Sequence, residues 1–363
     1  MGSSQRQQKS GSRRAEFLAK AAGGERLTLE DGAALFAVKD LAALGVAANT
    51  RCARLHPEPY RTYVIDRNIN YSNVCTSRCK FCAFWRESVT KDAYVVTEEE
   101  LFRKIEETLA LGGTQILLQG GLHPGLGLEY FEKLFHAVKS RFKIHFHALS
   151  PPEIVHVAHL NKLSVADTLS RLQAAGLDTI PGGGAEILVD KVRRQVSPNK
   201  CSTAEWLDVM RTAHRLGMRT TATMMFGHIE TVDDRVEHML RIRELQDETG
   251  GFTAFIPWTF QPKNTQLTCE PVGGFEYLKT LAISRLMLDN VPNIQASWVT
   301  QGAKVGQLAL AFGANDMGSL MIEENVVRAA GCSFRMTTDE IRRLISDAGF
   351  EPRQRDCYYR LVG

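Results

Sequence analysis

Residues 70–86 read NYSNVCTSRCKFCAFWR, a stretch that carries Cys75, Cys79 and Cys82 in the spacing Cys-x3-Cys-x2-Cys. A structural zinc site usually combines two cysteine or histidine pairs into four ligands, and ferredoxin-type clusters also use four cysteines. The rest of the sequence offers no second pair of this kind. Three cysteines can bind three irons of a four-iron cube and leave the fourth iron open to a small molecule. A structural zinc site and an incidental group of cysteines remain the alternatives.

The cysteine stretch directly follows the first of eight segments with strand character. The predicted strands are 62–69, 114–119, 143–149, 178–181, 219–226, 252–260, 293–298 and about 308–315. Helical segments separate them, and several open with a capping signal: Thr97 with Glu100, Ser164 with Asp167, and Ser202 with Glu205. This alternation predicts parallel strands with crossover helices. Eight units predict an α/β fold, a (βα)8 TIM-type barrel that is complete or nearly so. A doubly wound open sheet is the alternative.

The chain divides into three parts before any chemistry is considered. Residues 1–14 are polar, basic and rich in Gly and Ser, so we expect a disordered tail or an expression remnant. Residues 15–60 are predicted to form a helical extension, in which Thr28 and Asp31 open a helix that runs to Gly45. Residues 61–363 are predicted to form the barrel domain.

Composition excludes several functional classes. The formal net charge is +3, which gives no reason to expect nucleic acid or an anionic membrane as a partner. The sequence has no apolar run of the ~18–20 residues that cross a bilayer, and its first residues lack the apolar segment of a secretory signal. We therefore expect a cytoplasmic protein, in which disulfides among the eight cysteines are not expected.

The cysteine motif is similar to that of the radical S-adenosylmethionine (SAM) superfamily. Its signature is Cys-x3-Cys-x-aromatic-Cys after the first strand of a (βα) barrel, and Phe81 fills the aromatic position. The resemblance implies a [4Fe–4S] cluster on Cys75, Cys79 and Cys82, with SAM chelated by the open iron. It also implies that an electron cleaves SAM to methionine and a 5′-deoxyadenosyl radical. A reducing donor such as flavodoxin or ferredoxin would supply that electron.

Further residues are candidates for binding SAM. Gly120 and Gly121 stand where superfamily members often have Gly-Gly-Glu, and the backbone of that turn holds the SAM amino group. This chain departs from the pattern, because Leu122 replaces the acid. Glu186 follows three glycines and could accept hydrogen bonds from ribose hydroxyls, or it could simply begin a helix. Ser150, after the third strand, is also assigned to SAM binding.

Two histidines mark the third strand. His145 and His147 alternate with apolar residues, so both are predicted to point into the barrel. Interior histidines suggest polar contacts or proton transfer, and structurally satisfied histidines are the alternative. We assign both a catalytic role, together with Asp316 as another possible proton acceptor.

Three longer segments resemble the family of cyclic dehypoxanthinyl futalosine synthases of futalosine-route menaquinone biosynthesis. They are 181–188 (PGGGAEIL), 220–230 (TTATMMFGHIE) and 245–265 (LQDETGGFTAFIPWTFQPKNT). The resemblance implies hydrogen abstraction from ribose C4′ of dehypoxanthine futalosine, addition of the carbon radical to the benzoate ring, and loss of an electron and a proton.

Substrate contacts are assigned to residues at predicted strand ends. Trp258 and Trp298 are candidates to flank the substrate ring, although core packing is the alternative for each. His228 and Gln261 are candidates for polar contacts to the ribose or the benzoate. Aminofutalosine synthases and the deazaflavin-forming enzymes of coenzyme F420 synthesis share the scaffold and remain the alternative functions.

Overall fold

The computed structural model describes residues 16–363, and its first elements are helices. Helix α1 covers 16–23, α2 covers Leu29–Phe36 and α3 covers Leu41–Leu55. The predicted capping box of Thr28 and Asp31 opens α2. The predicted single helix to Gly45 is wrong, because the Asp40 side chain accepts a hydrogen bond from Ala43 N–H and starts a new helix. The predicted tail, 1–14, lies outside the described residues.

Seven parallel strands form the main sheet in chain order. They are β2 (Asp66–Asn70), β3 (Gln115–Gln119), β4 (His145–Ala148), β5 (Thr179–Ile180), β6 (Arg219–Phe226), β7 (Phe252–Thr259) and β8 (Asn293–Ile294). The helices between them are α4 (Glu98–Ala110), α5 (Leu128–Arg141), α6 (Pro151–Asn161), α7 (Val165–Ala175), α8 (Asp190–Val196), α9 (Thr203–Arg215), α10 (Val232–Thr249) and α11 (Gly274–Met287). The side chains predicted to cap α4, α7 and α9 do so.

A second sheet, of three strands, lies beside the main sheet and continues the barrel. It has the order β10 (Glu351–Gln354), β1 (Tyr60–Val64), β9 (Asp316–Ser319), and both its pairings are parallel. The chain passes from β1 into β2 at Ile65, so the predicted strand 62–69 is two strands in two sheets. A parallel bridge between Gln295 and Asp316 joins the β8 side to β9. The predicted nearly complete α/β barrel is confirmed.

The eighth predicted strand is misplaced. Helices α12 (Trp298–Gln301) and α13 (Ala303–Ala309) occupy the region before residue 310, and the strand comes later, at β9. A short apolar run reads equally well as a buried helix or a buried strand, which explains the error. Helices α14 (Val326–Ala329) and α15 (Thr338–Asp347) complete the fold.

Helix packing fixes the loops at the carboxyl edge of the sheet. The apolar face of α9 is buried, with Trp206 fully enclosed and stacked on Phe252 at 6.4 Å between ring centroids. The indole N–H of Trp206 donates to the Gly183 carbonyl at 3.1 Å. The packed helix therefore holds the glycine-rich loop after β5. Across residues 16–363, no helix combines the length and apolarity needed to cross a membrane.

The split between α2 and α3 gives a stability test. Replacing Asp40 with Ala removes the side-chain acceptor for Ala43 N–H and should lower the free energy of unfolding by ~1 kcal/mol. Asp40→Asn keeps an acceptor and should stay near wild type. Urea denaturation measures both. Equal losses in the two variants would contradict a capping role.

Candidate active site

One cavity of about 380 Å³ opens at the carboxyl ends of the parallel strands. This edge is where active sites of barrel folds are built. The wall includes most of the residues that the sequence assigned to the site: Cys75, Phe81, Cys79, Cys82, Gly120, Gly121, His147, Ser150, Glu186, Trp258 and Trp298. The fold therefore gathers into one space side chains from segments that are far apart in the sequence.

The cysteine loop is fixed to its surroundings by backbone hydrogen bonds. Cys75 N–H donates to Arg86 O at 3.1 Å, and Lys80 N–H donates to Val196 O at 2.8 Å. Gln266 N–H in turn donates to Lys80 O at 2.8 Å. The loop between Cys75 and Cys82 has little regular secondary structure, so these bonds to distant segments determine where its thiols lie.

Cys79 is buried, whereas Cys75 and Cys82 are partly exposed at the cavity. Burial raises the pKa of the Cys79 thiol to about 11 and also raises the pKa of Cys82. Lys200 opposes the shift at Cys79 because its positive charge favours the thiolate. A metal ligand must be a thiolate, so binding a cation here would release protons.

The cysteine set fits a cluster better than a single ion. Within residues 16–363, no three His, Cys, Asp or Glu side chains surround a position where one metal ion could bind. A four-iron cube does not require such convergence, because each thiolate binds a different corner. All three thiols are unpaired and border the same cavity. Three ligands with one open corner match this donor set.

The turn after β3 supports the cysteine loop. Gly121 N–H donates to Ser72 O at 2.8 Å, and Leu122 N–H donates to the Cys75 sulfur at 3.3 Å. A Cβ on Gly121 would lie 2.2 Å from the Val74 carbonyl oxygen, so only glycine permits this approach. The Gly121 backbone therefore packs closely against the cysteine loop, while the contact of this turn with the SAM amino group stays a prediction.

A buried carboxylate from another element contacts this turn. Glu153 of α6 accepts hydrogen bonds from Gly120 N–H at 3.0 Å and from Ser150 N–H at 2.8 Å. The Tyr71 hydroxyl donates to the same carboxylate at 2.9 Å. Burial raises the pKa of Glu153, while these donors lower it. Ser150 lines the cavity with its hydroxyl bound to Glu153. The sequence analysis missed Glu153.

Glu186 has an acceptor atom without a donor. It lies in the loop before α8 rather than in its first turn, and its φ of 40° is in the left-handed region. Lys200 Nζ donates to Oε1 at 3.0 Å, whereas Oε2 is buried with no hydrogen-bond partner and lies 3.6 Å from Arg193 Nη1. A buried acceptor that lacks a donor suits a ligand hydroxyl, as predicted for a ribose.

Lys200 was also not predicted as a site residue from the sequence. Its ammonium is buried between Glu186 and the face of Phe81, 5.2 Å from the ring centroid. Phe81 and Glu186 come from separate segments of the chain, so no local sequence pattern could reveal their contact with Lys200. The pKa of Lys200 is raised: burial, the largest single effect, favours the neutral form, but Glu186 and Cys79 together outweigh it.

The two tryptophans contribute differently to the wall. Trp258, near the end of β7, is half-buried. Trp298 is almost fully buried, and its indole N–H donates to Ser319 O at 3.0 Å. Trp298 therefore both packs in the core and presents a fixed ring to the cavity.

Of the two histidines on β4, the structure brings only His147 to the cavity wall. His145 lies instead in a shallow surface depression with Lys143 and Asp178, and its ring meets Tyr358 edge-on at 5.1 Å. Both histidines were predicted to point into the barrel, but only His147 reaches the cavity, and the catalytic role assigned to each stays a prediction. His145 is near the amino end of the strand, where the interior is filled by the C-terminal segment.

Asp316 also lies outside the described cavity wall, which corrects its predicted placement. Its carboxylate is fully buried and accepts from Arg355 at 2.6 and 2.9 Å and from the Thr62 hydroxyl at 2.5 Å. A carboxylate so occupied neutralises a buried guanidinium rather than facing substrate.

His228 and Gln261 are likewise placed away from the cavity. Burial lowers the pKa of His228, and Nδ1 of the neutral ring accepts from Ile229 N–H at 2.8 Å beside the Glu230 carboxylate. The Gln261 amide donates back to Thr259 at 3.2 and 3.3 Å. Local loop geometry after β6 and β7 turns both side chains toward their own backbone, which strand-end position alone did not predict.

Comparison with known proteins identifies the family of this chain. A sequence model of the radical SAM superfamily matches residues 69–242, and one of the CofH/MqnC C-terminal region matches residues 249–362. A relative from Halalkalibacterium halodurans is 46% identical over 95% of this chain and 94% of its own length. The chain belongs to the radical SAM superfamily. It is a radical SAM enzyme whose cofactors are a [4Fe–4S] cluster and SAM.

The similar proteins fall into two groups with different names. The relative from H. halodurans and one from Streptomyces coelicolor, 46% identical over 94% of this chain and 87% of its own, are cyclic dehypoxanthine futalosine synthases. A relative from Archaeoglobus fulgidus, 43% identical over 83% of this chain and 88% of its own, is a 5-amino-6-(D-ribitylamino)uracil–L-tyrosine 4-hydroxyphenyl transferase.

Solved structures support the radical SAM fold. Methylornithine synthase (PylB) is 18% identical with a TM-score of 0.74, covering 93% of this chain and 97% of its own. The FeFe-hydrogenase maturase HydG from Carboxydothermus hydrogenoformans is 18% identical with a TM-score of 0.76, covering 97% and 82%. At this identity, the likeness concerns the fold alone.

The Gly121 contact predicts a loss of cluster binding. Gly121→Ala forces the cysteine loop away from the turn, so we expect iron content and visible absorbance after anaerobic reconstitution to fall sharply. Gly125→Ala is the matched control, because its Cβ would meet only the His123 ring at 3.4 Å. Normal iron content in the Gly121 variant would contradict the proposed support.

The Asp316 environment predicts a loss of stability. Asp316→Ala leaves Arg355 buried without its carboxylate and should lower the free energy of unfolding by ~3–5 kcal/mol. Asp347→Ala removes an exposed ion pair and should cost under ~1 kcal/mol. Chemical denaturation of both variants measures this. A stable Asp316→Ala protein that has lost only turnover would favour a catalytic role instead.

Proposed function

We propose that this enzyme converts dehypoxanthine futalosine to its cyclic form in menaquinone biosynthesis. The observation that carries the proposal is the similarity to two cyclic dehypoxanthine futalosine synthases over at least 94% of the chain. The margin over the archaeal transferases is narrow, at 46% against 43% identity, so the cavity must also suit the reaction.

The cavity wall has an aromatic side suited to a benzoate ring. Trp258 and Trp298 approach it from β7 and α12, and Ile256 lies beside them. Aromatic pairs add ~0.5–1.5 kcal/mol to simple burial. We assign these rings the task of holding the benzoate close to the ribose carbon that attacks it.

The opposite side is polar and has acceptors without partners. Asn68 Oδ1 and Gln115 Oε1 are buried in the wall and have no hydrogen-bond partner. The oxygen and the nitrogen of an amide side chain are distinguished by the hydrogen bonds that each makes. We assign these two amides to hydroxyl groups of the substrate, because each unsatisfied buried group costs about 1–3 kcal/mol until a ligand bonds to it.

We assign the cofactor contacts to the end of the cavity nearest the cysteines and the substrate contacts to its deeper part. When bound, the cluster and SAM supply a 5′-deoxyadenosyl radical at the end nearest Cys75, Cys79 and Cys82. Glu186 and the Gly120 turn are assigned to SAM at this end. The deeper wall holds the substrate, fixes the distance from ribose C4′ to the SAM 5′ carbon, and keeps water out. The small cavity volume restricts unproductive geometries.

The cavity wall has no uncommitted cation among the described residues. Lys200 is paired with Glu186, and Arg355 is paired with Asp316. Two nearby arginines outside the wall are also engaged: Arg193 donates to the Ala185 carbonyl at 2.6 Å, and Arg67 donates to Glu107 at 2.8 Å. We therefore assign the benzoate carboxylate to neutral donors or to the open mouth of the cavity.

The cellular setting follows from the reaction. One low-potential electron must enter, and we propose flavodoxin or ferredoxin as its donor. We propose a cytoplasmic location, where such carriers and a nucleoside-derived substrate are available.

A direct assay tests the function. Reconstituted enzyme, SAM, dithionite and dehypoxanthine futalosine should give 5′-deoxyadenosine and a product two hydrogens lighter than the substrate, both measured by mass spectrometry. A parallel reaction with 5-amino-6-(D-ribitylamino)uracil and L-tyrosine tests the transferase activity. Turnover of that pair alone would overturn the cyclase.

A cysteine pair provides the control. Cys79→Ala should abolish 5′-deoxyadenosine formation, since it removes a cluster ligand. Cys269→Ala changes a cysteine outside the described cavity wall and should retain it. Cleavage of SAM by the Cys79 variant would contradict the ligand assignment.

A further inference from the structure

We propose that His147, Thr179 and His145 form a proton relay that carries the proton of ring closure from the cavity along the inner face of the barrel to solvent at the amino ends of the strands. The inference rests on the proposed function, because ring closure supplies the proton. It assigns a shared task to two histidines on the same face of β4, one at the cavity and one nearer the amino end of the strand.

The centre of the relay is one hydroxyl group. Thr179 of β5 is paired with His147 of β4 in the sheet, and both are buried. Thr179 Oγ1 lies 2.8 Å from His147 Nδ1 and 2.8 Å from His145 Nε2. Two imidazoles from alternate positions of one strand therefore meet at a single oxygen on the next strand.

This arrangement allows a proton to pass without any atom moving far. A threonine hydroxyl donates one hydrogen bond and accepts up to two. Between two imidazole nitrogens, it must accept from one ring and donate to the other. A proton that arrives at His147 Nε2 releases the proton on Nδ1 to Thr179, whose own proton passes to His145 Nε2. His145 Nδ1 then gives up its proton, so one proton enters and one leaves.

The two ends open on different spaces. His147 lines the cavity, where its Nε2 lies 3.4 Å from the Thr221 hydroxyl. His145 borders the surface depression, its side chain is 15% exposed, and Nδ1 lies 3.9 Å from Asp178 Oδ2. The bound cofactor and substrate fill the mouth above His147, so the wall offers the proton a separate exit.

The relay passes charge without storing it. Burial lowers the pKa of His147 to about 3 and that of His145 to about 4, so both rings are neutral at rest. Cys357 Sγ lies 3.4 Å from the same hydroxyl, but burial raises its pKa to about 12 and keeps it a thiol. It therefore does not divert the proton.

The proposed reaction supplies a donor strong enough for such a weak base. Ring closure removes a hydrogen atom from ribose C4′, which is transferred to the 5′ carbon derived from SAM, and forms a carbon–carbon bond to the benzoate ring. The ring then loses one electron, to the iron–sulfur group that supplied one at the start, and its C–H bond breaks to give a proton. A ring that regains aromaticity releases this proton readily, so a neutral imidazole with a low pKa can accept it.

Thr179→Val tests the relay with little change in shape. In a single turnover with dehypoxanthine futalosine, we expect 5′-deoxyadenosine to form as in wild type, since hydrogen abstraction precedes the proton step. Cyclic product should form about 10²-fold more slowly, the lower end of the effect of a positioned acid–base group. A solvent deuterium isotope effect on product formation should appear. His145→Gln, outside the cavity, should show the same uncoupling.

Two variants serve as controls. Thr179→Ser keeps the hydroxyl and should restore product formation. Thr220→Val removes a similar hydroxyl–histidine bond, 2.7 Å from His214 Nε2, outside the described cavity wall, and should not uncouple the products. Wild-type product yield and isotope effect in Thr179→Val would overturn the relay while leaving the cyclase intact. Absence of cyclic product from wild type would overturn the proposed function, and the relay with it.

Discussion

The contact between the cysteine loop and the Gly120–Gly121 turn determines whether this barrel can hold its cofactors. The loop has little regular structure, so its three thiols depend on bonds to distant backbone: Gly121 N–H to Ser72 O on one side, and Lys80 N–H to Val196 O on another. Glu153 fixes the turn from below through Gly120 N–H. The cofactor end of the site is thus assembled from segments that are brought together only when the barrel curls.

Two buried ion pairs contribute to the cavity wall. Lys200 with Glu186 and Arg355 with Asp316 are buried, and each pair would be costly to break. Three further carboxylates of the wall, Asp66, Glu153 and Glu324, have no cation partner among the described residues; they accept hydrogen bonds, and burial raises the pKa of each. Hydrogen abstraction and radical addition develop little charge, so positioning and exclusion of water contribute more to these steps than electrostatic stabilisation. A rigid wall suits that requirement.

Sequence reasoning worked where the signal is local. The spacing of Cys75, Cys79 and Cys82 and the capping boxes depend on neighbouring residues, and the alternation of strand and helix gave the barrel. It failed where the outcome depends on contacts across the fold. The break in strand 62–69 follows from pairing with β10, and the run at 308–315 fits a helix as well as a strand. Glu153 and Lys200 reach the site from segments with no motif.

The positions of the two histidines of β4 also depend on contacts across the fold. Alternation correctly puts His145 and His147 on one face of the strand, but it does not give their depth, and the C-terminal segment separates the lower ring from the cavity. Only the structure shows that Thr179 joins them. Charge becomes significant at the last step of the proposed reaction, when the product must release a proton inside a wall built to exclude water. The wall carboxylates that lack a cation partner, Asp66, Glu153 and Glu324, already accept hydrogen bonds from protein donors. The neutral His147 ring, connected through Thr179 to His145 near the amino end of β4, is therefore where that proton can go.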